Sequence, residues 1–206
     1  MIYSAYEAAH QLLGPARQAA RATATVMDSP ANLWRDSIAT RAMVAGHNVF
    51  EMATRRYGKP GWNLPTTTID GVEVPISVDT VLEKPFGRLL RFRRDPAVLS
   101  QIKGYEPQPR VLIVAPMSGH HATLLRGTVE AMLPEHEVFI TDWTDARDVP
   151  LIFGRFDLNT YIDYLIEFIQ LIGPGAHTMA VCQPGPPLLA ACSVMAAKND
   201  PARPAR

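Results

Sequence analysis

Cysteine is scarce in this chain: its 206 residues include two, Cys182 and Cys192. Two thiols build no disulfide framework. Neither belongs to a CxxC pair or lies beside an HxxxH, so zinc-ligand spacing is missing too. An excess of one charge is also lacking, since Lys+Arg and Asp+Glu both number 20. A balanced chain offers no basic footprint for nucleic acid. No uninterrupted apolar run approaches the roughly 18 residues that a spanning helix needs. The opening Met1-Ile2-Tyr3-Ser4-Ala5-Tyr6-Glu7 lacks the basic then apolar order of a secretory signal. The expectation is a cytoplasmic protein with reduced thiols and no membrane span. No pattern in the chain calls for a metal or a cofactor.

What is present is ordinary globular material, with 47% apolar residues. Residues 1–60 are rich in alanine and helical in pattern, and read as an N-terminal extension. Breaks are expected at Gly14-Pro15 and at Asp28-Ser29-Pro30. Ser29 or Asn32 is positioned to cap a helix carrying Trp34, Ile38 and Met43. Gly58-Lys59-Pro60-Gly61 closes the region with loop chemistry.

Residues 61–206 read as a second domain. Asp70-Gly71 predicts a tight turn between strands at 66–69 and 72–78. Val72, Val74, Ile76 and Val78 alternate as on a half-buried strand. Pro75 points to an edge or a bulge, and a short strand is expected over 89–93. From Arg110 the grammar changes. Val111–Ala115 is a continuous apolar run of the parallel-strand kind. A helix over 121–133, a strand over 138–141, a helix over 158–172 capped by Asp157, a strand over 177–181 and a helix over 186–198 follow. A hairpin and then βαβαβα implies a parallel sheet with right-handed crossovers. The last residues, 199–206, read as a linker-like stop.

The chemistry concentrates at Thr178-Met179-Ala180-Val181-Cys182-Gln183-Pro184-Gly185-Pro186. A strand that turns sharply into a helix is a nucleophile elbow, with the nucleophile on the strained turn. Ala180 is small enough for strand and helix to approach. Cys stands where Ser is commoner, and Pro184 stands where the usual motif has Gly. Gln183 keeps its backbone N–H and can donate to an oxyanion. The helix N-terminus favours negative charge at this point. Cys192 reads as a packed residue of the following helix.

The loop Pro116-Met117-Ser118-Gly119-His120-His121 follows the first parallel strand directly. The second oxyanion donor of an α/β-hydrolase comes from such a loop, so it is expected at Met117 or Ser118. Gly119, His120 and His121 are expected to shape the loop or line the substrate. A general base in that fold follows the nucleophile in chain order, and both histidines precede Cys182. Asp142 and Trp143 follow the next strand at the sheet edge where ligands bind, and are expected to line the substrate. The charged loop over 142–148 is otherwise expected to hold local Asp–Arg pairing.

Four segments carry a family resemblance. PMSGHHATLLRGTV, DWTDARDVP, FDLNTYIDYLIEFI and VCQPGPPLLAA, together with the N-terminal stretch, resemble the intracellular polyhydroxyalkanoate (polyhydroxybutyrate) depolymerases. The resemblance spans essentially the whole chain, and the VCQPG elbow is its most specific part. It implies an α/β-hydrolase-type fold with a partial sheet, the C-terminal strands and cap being absent. It implies carboxylic ester hydrolysis of stored polyester granules with Cys182 as nucleophile. It places the family's Asp and His in a further half of the chain, so that residues 1–206 would be a catalytically incomplete piece with an open sheet edge. Two alternatives stand beside it: a polyhydroxyalkanoate synthase-like acyltransferase, and a non-enzymatic granule-binding fragment.

Overall fold

The computed structural model describes residues 2–55, 58–117 and 121–205. The chain divides into two compact units, Met1–Gly58 and Lys59–Arg206.

The first unit holds α1 (Ile2–Leu12), α2 (Gly14–Met27) and α3 (Ile38–Thr54). Its buried residues are few. Ala20 and Ala24 let α2 lie close to α3, and the Glu51 carboxylate, also buried, takes Arg21 and Arg55. Ser37, not Ser29 or Asn32, caps α3 by accepting from the Thr40 N–H at 3.1 Å. Asn32 is already committed. Its carbonyl takes the Trp34 N–H at 3.1 Å, and its amide donates to Met27 O at 2.7 Å. Trp34 therefore stays in the exposed connection while Ile38 and Met43 enter the helix.

The second unit is mixed α/β. Six strands form one sheet in the order β1-β2-β3-β5-β4-β6. They are β1 (Thr66–Ile69), β2 (Val72–Lys84), β3 (Gly87–Arg94), β4 (Arg110–Val114), β5 (Glu137–Trp143) and β6 (His177–Ala180). Asp70 and Gly71 both take positive φ, 49° and 79°, as a two-residue hairpin turn matched to strand twist requires. β2 runs longer than its alternation predicts, because it serves two partners. Residues 72–75 pair with β1 and residues 76–84 with β3, with a register shift between Thr80 and Leu82. Pro75 sits where the partner changes, so its missing N–H interrupts neither ladder. Only Val74 of the four alternating residues is fully buried, and Val72 and Val78 are exposed.

Each neighbouring pair in the run β1-β2-β3-β5 is antiparallel, whereas β4 is parallel to β5 and to β6. Helices α5 (Arg126–Met132) and α6 (Leu158–Ile172) are the crossovers, α4 (Pro96–Leu99) is one short turn before β4, and α7 (Gly185–Ala197) follows β6. A 3-10 turn over Ala122–Leu125 precedes α5, where one continuous helix is expected from the sequence. The pleat of β4 sorts the core. Leu112 and Val114 pack with Leu165, Phe168, Leu188 and Met195 of α6 and α7. Val111 and Ile113 pack on the other face with Val129 and Leu133. Two helical layers thus cover the parallel strands, as parallel sheets require.

Each end of α6 is tied down. Asp157 accepts from the Thr160 N–H at 2.9 Å, and that bond holds its carboxyl below the ordinary aspartate range. At the other end Arg110 donates to Ile172 O and to Pro174 O. The segment after α7 is not a linker. Ala202 is buried in the core, and the Ala205 N–H donates to Ala176 O at 2.9 Å. Asp200 takes Gln170 and the Ala202 N–H.

Gly87 pairs across the ladder with Trp143, and a Cβ there would stand 2.7 Å from Trp143 Cε3. Gly87→Ala is expected to displace the indole and cost about 1–3 kcal/mol, the usual cost of overpacking. Urea unfolding followed by tryptophan fluorescence measures it.

Candidate active site

β6 ends at Ala180, and the Val181 N–H still reaches Val114 O of β4 at 3.5 Å. The next residue leaves the extended region altogether: Cys182 has φ +67°. That left-handed conformation costs a residue with a Cβ about 1–3 kcal/mol. It persists because both flanks are held. The strand is hydrogen-bonded to β4, and α7 is packed through Leu188, Ala191 and Met195. The turn closes with the Gly185 N–H donating to Cys182 O at 3.1 Å. The side chain of Cys182 is exposed as a free thiol.

The helix start offers fewer donors than such a terminus normally does. Pro184, Pro186 and Pro187 have no N–H, and that of Gly185 is taken by Cys182 O. Gln183 is therefore the turn residue whose backbone N–H fits the oxyanion assignment. Its side chain has a second role that the sequence does not announce. The Gln183 carboxamide oxygen accepts from the Met117 N–H at 2.9 Å, joining the Cys182 turn to the loop after β4. Met117, the expected oxyanion donor, is thus beside the elbow, with its N–H held by Gln183.

The entry to that loop is clamped from β5. The Ala115 N–H donates to Thr141 Oγ1 at 2.9 Å, and Trp143 Nε1 donates to Ala115 O at 2.8 Å. Trp143, expected to line the substrate, is a half-buried anchor. Its ring packs edge-on against Tyr161 at 4.7 Å and beside Phe156 at 5.9 Å. The Tyr161 hydroxyl has no hydrogen-bond partner among the described residues, and burial pushes its phenol well above the ordinary range.

Asp142, also expected to line the substrate, carries two ion pairs. It is 2% exposed, and its Oδ2 takes Arg88 Nη2 at 2.8 Å and Lys59 Nζ. The register explains this, since Arg88 stands directly across from Asp142 in the β3–β5 ladder and cross-strand opposite charges attract. The buried carboxylate is thus paired with two part-exposed cations. Lys59 and Arg88 were not legible as its partners, because one sits in a loop and the other in a strand far away in sequence. The local Asp–Arg pairing expected in this loop is Asp145 with Arg147, at 2.5 Å.

Of the remaining loop residues, His121 is exposed just before the 3-10 turn. Ser118, Gly119 and His120 lie outside the described residues. Among the described residues no imidazole or carboxylate hydrogen-bonds the Cys182 thiol, and no group of three His, Cys, Asp or Glu could hold a metal. No helix among them is long and apolar enough to cross a membrane. A hollow of about 1080 Å³ is lined entirely by the first unit, from Arg21 to Asn48. It contains none of this chemistry.

Compared with protein-family models, with curated proteins and with solved structures, the chain finds no match.

Two expectations follow from the elbow. Cys182→Gly should be more stable than Cys182→Ala by about 1 kcal/mol, because Ala keeps the left-handed penalty that Gly escapes. Equilibrium urea unfolding of the two variants checks the order, and a more stable alanine variant would contradict the strained backbone. The second concerns Cys192, which is half-buried and whose thiol is pushed up by burial. A raised thiol pKa means less thiolate at any working pH. Mild iodoacetamide should therefore modify Cys182 first, as peptide mass mapping over time would reveal.

Proposed function

We propose that Cys182 is the nucleophile of an acyl transfer on the ester bonds of a polyhydroxyalkanoate, in an α/β-hydrolase-type domain. The observation that carries the reading is the left-handed Cys182 backbone between a parallel strand and a helix, with the thiol exposed. An elbow of this kind presents the nucleophile at the top of an α/β-hydrolase sheet, with the second oxyanion donor on the loop of a neighbouring strand. The strand order supports the same reading, because β4 lies beside β6 and its outgoing loop reaches the Cys182 turn through Gln183.

In the proposed step a base removes the Cys182 proton and the thiolate sulfur attacks an ester carbonyl carbon. The developing oxyanion takes the Gln183 N–H. It takes the Met117 N–H as well once the Gln183 carboxamide swings aside. Collapse breaks the ester C–O bond, the hydroxyl-ended chain leaves with a proton, and the acyl group remains on sulfur as a thioester. Water then hydrolyses that thioester in full turnover. The family resemblance implies an acid–base pair later in chain order than Cys182; with an activated ester the buffer takes the Cys182 proton, so acylation is read without that pair. The half-reaction assigned to residues 1–206 is acylation. Association with cytoplasmic polyester granules belongs to the same proposal.

The test is acylation of the chain itself by a p-nitrophenyl ester of 3-hydroxybutyrate. Intact mass and peptide mapping should find the acyl group on Cys182 and none in Cys182→Ala. Gln183→Pro, which removes the backbone donor, should slow acylation about 100-fold or more. Acylation spread over lysines, or unchanged in Cys182→Ala, would overturn the assignment. Efficient acylation from 3-hydroxybutyryl-coenzyme A, with none from the ester, would favour the synthase-like acyltransferase.

A further inference from the structure

We propose that the Gln183 side chain is an inhibitory cap on the oxyanion donor: its carboxamide oxygen occupies the Met117 N–H at rest, and a substrate gains that donor only by displacing it. This rests on the acyl-transfer reading above and adds regulation to the same site. The Met117 N–H donates to Gln183 Oε1 at 2.9 Å, and of the two ends of a carboxamide only the oxygen accepts. A neutral carbonyl oxygen of the chain itself thus already stands on the loop donor. It comes from the residue next to the Cys182 thiol.

The same bond would serve equally to brace the loop, and the surroundings of Met117 separate the two roles. Ala115 is held through both of its backbone groups by Thr141 and Trp143. Pro116 follows, with its φ fixed by the ring. The Met117 side chain packs against the core. The Met117 N–H is therefore placed without help from Gln183. Gln183 is the movable partner, because it is exposed and its carboxamide has no other partner among the described residues.

A cap on a fixed donor has a definite kinetic signature. The carboxamide and an ester carbonyl are both neutral acceptors, so a bound ester gains little by taking the donor from Gln183. A tetrahedral oxyanion is charged, forms the stronger hydrogen bond and takes the donor outright. Without the cap, the donor would be on the ester before reaction and on the oxyanion in the transition state. The cap thus removes binding common to both states. It raises the ester concentration needed and leaves the rate from bound ester nearly unchanged. Dilute esters are disfavoured and concentrated ones are not.

The experiment measures Cys182 acylation against concentration of the p-nitrophenyl ester, in the wild type and in Gln183→Leu, which keeps the bulk and removes the acceptor. Half-saturation should fall about threefold to tenfold, the net worth of one neutral hydrogen bond, with the limiting rate within about twofold. By nuclear magnetic resonance the Met117 amide should exchange with solvent faster in Gln183→Leu. Gln183→Glu, whose carboxylate oxygen accepts the same bond, should keep that amide protected. Circular dichroism should match in all three. A limiting rate that drops in Gln183→Leu would make the bond a brace and overturn the cap. So would superimposable saturation curves, or Met117 exchange indifferent to the Gln183→Leu change. In each of these cases Cys182 still acylates, and the cap falls alone. A wild type that no ester concentration acylates sinks the acyl-transfer reading and the cap with it.

Discussion

Cys182 sits in a backbone conformation that its own side chain disfavours, and the surrounding structure exists in a form that keeps it there. The strand before it is pinned to β4 as far as Val181. The helix after it is pinned to the core by Leu188, Ala191 and Met195. Between these two fixtures the chain has few residues in which to reverse. A left-handed residue is the short solution, and burial of the helix face is large enough to carry a penalty of about 1–3 kcal/mol. The thiol is thereby presented at the mouth of the sheet rather than folded into it.

β4 is the second dependency. It is the one strand here with parallel neighbours on both sides, and its residues 111–114 are all fully buried. The loop that leaves it is steered from two directions. Thr141 and Trp143 of β5 hold both backbone groups of Ala115, and Gln183 of the elbow holds the Met117 N–H. Gly87 permits this arrangement by leaving room for the indole. Asp142, one residue before Trp143, is locked to Arg88 and Lys59 on the opposite face. The two neighbours show how the pleat divides labour along one strand: Asp142 ties β5 to β3 and to residue 59, and Trp143 braces the loop beside the thiol.

The outer edge of β6 is the open side of this sheet. Its residues are half-buried where those of β4 are fully buried. The closing segment covers part of it, through Ala205 and Ala202. An edge strand with unpaired backbone groups is a template for further pairing.

Much of the mixed α/β unit was legible in the residues alone. The Asp70-Gly71 turn, the apolar run of β4, the Asp157 cap of α6 and the strand–Cys–helix pattern at 177–198 are local signals, set by propensity, periodicity and capping chemistry within a few residues. Local signals also misled where a side chain had a competing partner. Asn32 closes α2 instead of starting α3, the 199–205 tail folds back onto Ala176, and β2 extends to serve two neighbours. The sequence by itself determined where the sharp strand-to-helix turn falls, because Cys182 is the cysteine with a strand before it and helix-starting prolines after it. Only the tertiary structure decided that Asp142 pairs with Arg88 and Lys59, that Gln183 reaches back to Met117, and that Trp143 holds Ala115. Each of these depends on strand register and on pairs separated by tens of residues, and no spacing along the chain encodes which distant partner will arrive.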